Sequence, residues 1–149
     1  MKKVVFLLIV VLLAGCSKDK YFTCKIDLNN KQMDYHLSAL YKVYYKNSYV
    51  TKIEKNEIYE TYNEDTYNYF NEAKNLEYVN LNNLYGGITH TISLEENKVI
   101  LDAIYDMSMV DIKKMIKNKY IDRDYVIGKS LTVGGIKNIY REKGAICDI

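Results

Sequence analysis

The chain has no proline, no tryptophan, two histidines and three cysteines in 149 residues. Without proline there is no proline-rich linker, and no low-complexity stretch or composition shift divides the chain. A transition-metal site gathers several His, Cys or carboxylate ligands. His36 and His90 are the only histidines and nothing in the pattern brings them together, so no metal or other cofactor is expected. No Ser, Thr or Cys has a recognisable nucleophile setting, and no base with an orienting partner stands out. No catalytic residue is therefore assigned. An apolar run of the roughly 20 residues needed to span a bilayer core is also missing.

What is present begins at the N-terminus. Lys2 and Lys3 precede an uninterrupted apolar run of 11 residues, Val4 to Ala14, closing with Leu13-Ala14-Gly15-Cys16. The run has the length of a signal-peptide apolar region. Its last four residues resemble the bacterial lipobox, in which cleavage precedes a cysteine that then carries the lipid. The expectation is a signal peptide over 1–15, lipid on Cys16, a short tether over 16–20 and a single domain over 21–149. Several acyl chains on one residue anchor stably, whereas one binds only marginally. The four tether residues Ser17 to Lys20 reach at most about 14 Å, which keeps the domain close to the cell membrane, on its extracytoplasmic face.

Losing residues 1–15 would leave 134 residues, the size of one domain, and take the formal charge from +2 to zero. A neutral domain has no general electrostatic basis for nucleic-acid binding. The 16 tyrosines, with abundant Lys, Asn and Ile, suit an AT-rich genome and are not by themselves a binding signature. With Cys16 lipidated, Cys24 and Cys147 remain. An exported domain can keep them as a disulfide pinning both ends of the fold; the alternative is two buried free thiols.

Period-2 alternation marks strands over 21–28, 33–45 and 49–59, the last with a phase slip before Ile58. Asn29-Asn30-Lys31 and Lys46-Asn47-Ser48 read as turns, since Asn tolerates positive φ. A helix over 64–80 follows, capped by Asn63, with Glu64 and Asp65 in its first turn and Tyr69, Phe70, Ala73 and Leu76 as its apolar stripe. Gly86-Gly87 precedes a second hairpin, Ile88 to Leu94 and Val99 to Tyr105, turning at 95–98. Ser108 is expected to cap a helix over 109–119. Residues 121–130 read as irregular, with an extended piece at Tyr125–Ile127, and a last helix spans 131–143, weakened by Gly134-Gly135 and closed by Gly144. The fold class is α+β: an antiparallel sheet built from hairpins, with about three helices packed on it.

Behind this anchor, three places carry a likeness to a family. They are the strand–turn–strand of Tyr44 to Lys52, Gly86-Gly87-Ile88-Thr89-His90 leading into a strand, and the final helix ending at Gly144. Together they resemble the YehR-like bacterial lipoproteins. Asn47-Ser48 stands where that family usually has Gly-Asp, and Gly134-Gly135 is a second departure. The resemblance implies an α+β fold with an antiparallel sheet and supplies no catalytic residues.

Other features have plain readings. Asp122-Arg123-Asp124 with Gly128 lacks the third acidic position and the closing Glu of a calcium loop. Gly86-Gly87 precedes a strand, not the helix N-terminus a phosphate loop needs. The lysines at 113–119 form a wet helix face that could reach anionic headgroups. Tyr35, Tyr41 and Tyr45 fall on a core face, whereas Tyr44, Tyr62 and Tyr67 could be exposed to a glycan or peptide. The expectation is a non-enzymatic envelope lipoprotein binding a protein, wall or membrane partner. A small-ligand-binding lipoprotein serving a transporter comes second, and would require a deep pocket. An enzyme comes third.

Overall fold

The structure, a computed structural model, describes residues 20–148; the leader, Cys16 and most of the tether lie outside them. Three long strands come first: β1 (Lys20–Asn30), β2 (Tyr35–Lys46) and β3 (Tyr49–Glu60). The helix α1 (Glu64–Tyr85) leads to the hairpin β4 (Ile88–Glu95) and β5 (Lys98–Asp106). Then follow α2 (Ile112–Lys117), a 3-10 turn (Arg123–Tyr125), the short hairpin β6 (Val126–Ile127) and β7 (Ser130–Leu131), α3 (Val133–Glu142) and the terminal β8 (Ile146–Cys147). The main sheet has six strands in the order β4-β5-β3-β2-β1-β8, with every neighbouring pair antiparallel. The α+β architecture expected from hairpin and helix periodicities is the one found.

One sheet face carries the core. Phe22, Cys24, Tyr41, Val43, Ile53, Leu101, Ala103, Tyr105 and Ile88 are buried on it, and the helices cover it. Tyr78 of α1 meets Tyr105 edge-on, and Tyr140 of α3 stacks on Tyr41 with ring centroids 4.4 Å apart and planes 6° from parallel. The other face carries alternating exposed or half-buried positions such as Lys25, Leu40, Lys42, Glu54, Asn56 and Ile104.

Local chemistry explains the connections. Asn47 and Ser48 both adopt positive φ, 49° and 67°, which gives a two-residue turn whose twist matches the strands it joins. Asn63 caps α1 by accepting from the Thr66 amide at 2.9 Å. α1 ends at Gly86, whose φ is +70°. A Cβ on the next residue, Gly87, would stand 2.8 Å from the Asp106 carbonyl oxygen, so only glycine fits.

Several expectations need correction. α1 runs to Tyr85, past the expected 80, and Tyr69 and Leu76 point outward, 54% and 61% exposed. The buried stripe is Phe70, Tyr78, Leu81 and Tyr85, because the sheet meets the later turns of the helix. The register slip lies earlier than Ile58: Tyr44 pairs Lys52 but Tyr45 pairs Val50, which leaves Thr51 as the extra residue of a bulge. α2 is only six residues, capped by Asp111, whose Oδ1 accepts from the Lys114 amide at 3.0 Å. Ser108 instead donates its hydroxyl to Asp106 at 2.6 Å in the turn before it. α3 starts at Val133, capped by Thr132. Its Gly135 is required as well as tolerated, since a Cβ there would approach the Tyr125 carbonyl oxygen to 2.7 Å.

Candidate functional site

The helices do not seal the core face completely. A cleft of about 540 Å³ opens between α1, α2 and α3. Its floor is Ile53, Lys55 and Tyr105; Met107, Met115, Ile121, Leu131, Ile136 and Ile139 make the walls apolar; Glu77, Lys119, Tyr120, Glu142 and Lys143 bring polar groups to it. That volume is in the usual range for small-molecule sites, while the lining is mixed, with six charged side chains among the apolar ones.

The floor is chemically unusual for a core face. On β3 the alternation that buries Ile53 and Tyr59 also points Lys55 and Glu57 inward, in a strand central to the sheet. Glu57 is 7% exposed. It accepts from the hydroxyls of Tyr41 at 2.9 Å and Tyr59 at 2.7 Å. Burial pushes its carboxyl upward, but the Lys55 ammonium, the Tyr59 hydroxyl, Lys74 and the Tyr41 hydroxyl outweigh it, and the net value lies below the ordinary one. Glu57 is therefore a carboxylate. Lys55 sits over three tyrosine rings, 4.7 Å from the Tyr105 centroid, 5.7 Å from Tyr41 and 6.0 Å from Tyr78. Ring faces are negative, so this cage holds the cation without a close carboxylate.

Around that cage the tyrosines stay neutral. Burial raises Tyr105 to about 12, with Glu57 and Glu77 adding to it against the lowering hydrogen bonds of Tyr78 and Tyr120. Burial, chiefly, also raises Tyr41, Tyr78 and Tyr120. Tyr140 is 2% exposed, and among the described residues its hydroxyl has no hydrogen-bond partner. Lys143 is accessible as a residue, yet desolvation and then the nearby Lys55 lower its ammonium below the ordinary lysine range.

The sequence-derived candidates fall elsewhere. Cys24 and Cys147 stand opposite each other in the β1–β8 register, with Cα atoms 3.9 Å apart and sulfurs at disulfide distance. His36 bonds Asp27 at 2.8 Å on the outer face, while His90, on the core face, bonds Asn75 at 2.9 Å and packs on Tyr78. Among the described residues no group of three or more His, Cys, Asp and Glu is placed to hold a metal ion. Asp122 caps the 3-10 turn by accepting from the Asp124 amide at 3.0 Å. Lys113, Lys114 and Lys117 are exposed on α2. Of the tyrosines expected outside, Tyr62 is 82% exposed, while Tyr44 and Tyr67 are half-buried. Tyr41, expected inside, is buried there and Tyr35 and Tyr45 half-buried. Lys55, Glu57 and Lys143 escaped the sequence reading. The signal was available: keeping one phase from Ile53 to Tyr59 puts two charges on an apolar face.

No protein-family model matches this chain, and no curated protein matches it in sequence. Two solved structures share its fold. One is the NMR structure of the YehR protein of E. coli, at 16% identity, covering 87% of this chain and 92% of its own, with a TM-score of 0.57. The other is the NMR structure of a Streptococcus pneumoniae TIGR4 protein, at 12% identity, covering 99% of this chain and 96% of its own, also with a TM-score of 0.57. The chain thus has a YehR-like fold.

Proposed function

We propose that this protein is a lipid-anchored, extracytoplasmic binding module without catalytic activity, held at the membrane through Cys16 and taking a small ligand in the cleft beneath its helices. The observation that carries the binding role is the cleft with Lys55 on its floor. A charge on the core face of a central strand is costly unless paired or given a task. A well-packed apolar residue there would serve the fold at least as well. The cleft also moves the weight from a large envelope partner to a small ligand, since this is the pocket that the small-ligand reading needed. The carboxylates that line it are tied up in local bonds, an arrangement suited to holding a molecule more than to proton transfer.

Two features support the location. Cysteines paired across the chain ends belong to an oxidising compartment. The charge also runs along the strands. β1 starts at Lys20, at the sheet end that carries Lys46 and Lys52 against Glu54 and Asp106, and from which the chain continues into the lysine-rich α2 with its capping Asp111. The opposite end carries Asp34, Glu60, Glu64, Asp65, Glu95 and Glu96 against Lys31 and Lys98. An anchor on Cys16 would set the basic end on anionic headgroups. No helix among the described residues is long and apolar enough to cross a membrane.

The test is native mass spectrometry of the protein gently extracted from its own membrane. Wild type should carry a small non-covalent mass that disappears on denaturation and is absent from Ile139→Trp, which fills the cleft wall. Identical native and denatured masses in wild type would count against the binding role.

A further inference from the structure

The ligand's chemistry can be read from what the cleft leaves unsatisfied. Four carboxylates stand in or directly under it, and each is engaged. Glu57 takes two tyrosine hydroxyls. Glu77 pairs with Lys74 at 2.8 Å, Glu142 accepts from the Tyr125 hydroxyl at 2.7 Å, and Asp122 caps its own turn. The cations are different. Among the described residues neither Lys55, Lys119 nor Lys143 has a carboxylate within salt-bridge distance. The one hydrogen bond of Lys55, to the Tyr105 hydroxyl, is long at 3.4 Å. Among the described residues the buried Tyr140 hydroxyl also lacks a partner, although buried polar groups are nearly always satisfied. The spare capacity of the cleft is therefore donors and positive charge, next to a wall of Ile, Leu and Met side chains.

We propose that the cleft binds a small organic anion, a carboxylate or phosphate head on an apolar body, with Lys55 and Lys143 meeting the head and the apolar wall covering the body. This rests on the cleft being a binding site. Charge-assisted hydrogen bonds are the strong ones, so the sign of the head should dominate selection. The same six-carbon body on different heads isolates the charge.

The experiment titrates the mature lipidated protein, in nanodiscs of zwitterionic lipid, with hexanoate, hexyl phosphate, hexanol and hexylamine, following the methyl signals of Ile53, Met115, Ile136 and Ile139. Hexanoate or hexyl phosphate should bind at least about tenfold tighter than hexanol. Whichever of the two binds better identifies the natural head as carboxylate or phosphate. Lys143→Gln, on the accessible rim, should weaken the anion about tenfold with the remaining spectrum unchanged, and Lys143→Arg should restore much of it. Lys55→Met should weaken it at least as much. Hexanol binding as tightly as the anions, or hexylamine binding tighter, would overturn the anion reading while leaving a binding cleft. No shift at any cleft methyl with any probe would overturn both.

Discussion

Breaking the Cys24–Cys147 link should be the most damaging single change outside the core. The two residues are 123 apart in sequence. On the chain-entropy account, a loop of that length stabilises by about 4–5 kcal/mol through restriction of the unfolded chain. β8 has little else to hold it: it is two residues long. Beyond its pairing with Cys24 and Lys25, the end of the chain adds the Asp148 amide on the Thr23 carbonyl at 2.8 Å and the Thr23 hydroxyl on the Asp148 carboxylate. The perturbation of choice is Cys147→Ala, because Cys147 is half-buried whereas Cys24 is fully buried and its truncation would add a cavity. Small domains have about 5–15 kcal/mol of total stability, so such a loss would be a large part of it. With a urea slope of about 2 kcal/mol per molar, the midpoint should fall by about 2 M, with a somewhat steeper slope because the unlinked unfolded chain is more expanded. Reduction of wild type should reproduce the shift. A fall below about 0.5 M in both would refute the linked termini.

Other substitutions test the geometry one site at a time. Gly135→Ala should destabilise by about 1–3 kcal/mol, as overpacking does, because its Cβ would collide with Tyr125. Gly134→Ala faces open space and should stabilise by up to about 1 kcal/mol; equal effects of the two in thermal melts would contradict the placement of α3. Ser48→Gly should stabilise by about 1 kcal/mol by relieving the positive φ of the β2–β3 turn, read as a higher urea midpoint. Glu57 contributes through pH. Its native carboxyl lies below its ordinary value, so its stabilisation is complete above the unfolded value of about 4.3 and is lost as pH falls through the lower native one. Glu57→Gln should be less stable at neutral pH and should show a shallower acid loss in urea midpoints taken from pH 6 to pH 3. An unchanged acid slope would mean that the Glu57 carboxyl is not held below its ordinary value in the folded protein.

The strands and the fold class were legible because a half-buried sheet imposes period-2 alternation that survives a biased composition. α1 was legible in type but not in facing. A tyrosine-rich helix offers apolar residues all round, and only the position of the sheet decides that Tyr78 and Leu81 go in while Tyr69 and Leu76 stay out. α2 was misjudged because Ser108 and Asp111 are both good caps, and Asp106 claims the serine. The cleft was not legible for a deeper reason. Alternation is read from apolar residues, so inward charges look like phase errors. In β3 the polar members of the inner face, Lys55 and Glu57, are the ones that lie at and beneath the cleft floor, and the real slip at Thr51 drew no attention because Val50, Thr51 and Ile53 all suit a strand. The unpartnered hydroxyl of Tyr140 follows from three-dimensional packing against Tyr41, which no spacing in the sequence encodes.

The most direct test of the anchored, disulfide-closed domain is the intact mass of the mature protein purified from its membrane, alkylated with and without prior reduction. The expected result is loss of residues 1–15, acyl mass on the N-terminal peptide at Cys16, and two alkylated thiols only after reduction. An unprocessed N-terminus without lipid would contradict the location. Two thiols alkylated before reduction would contradict the closed domain.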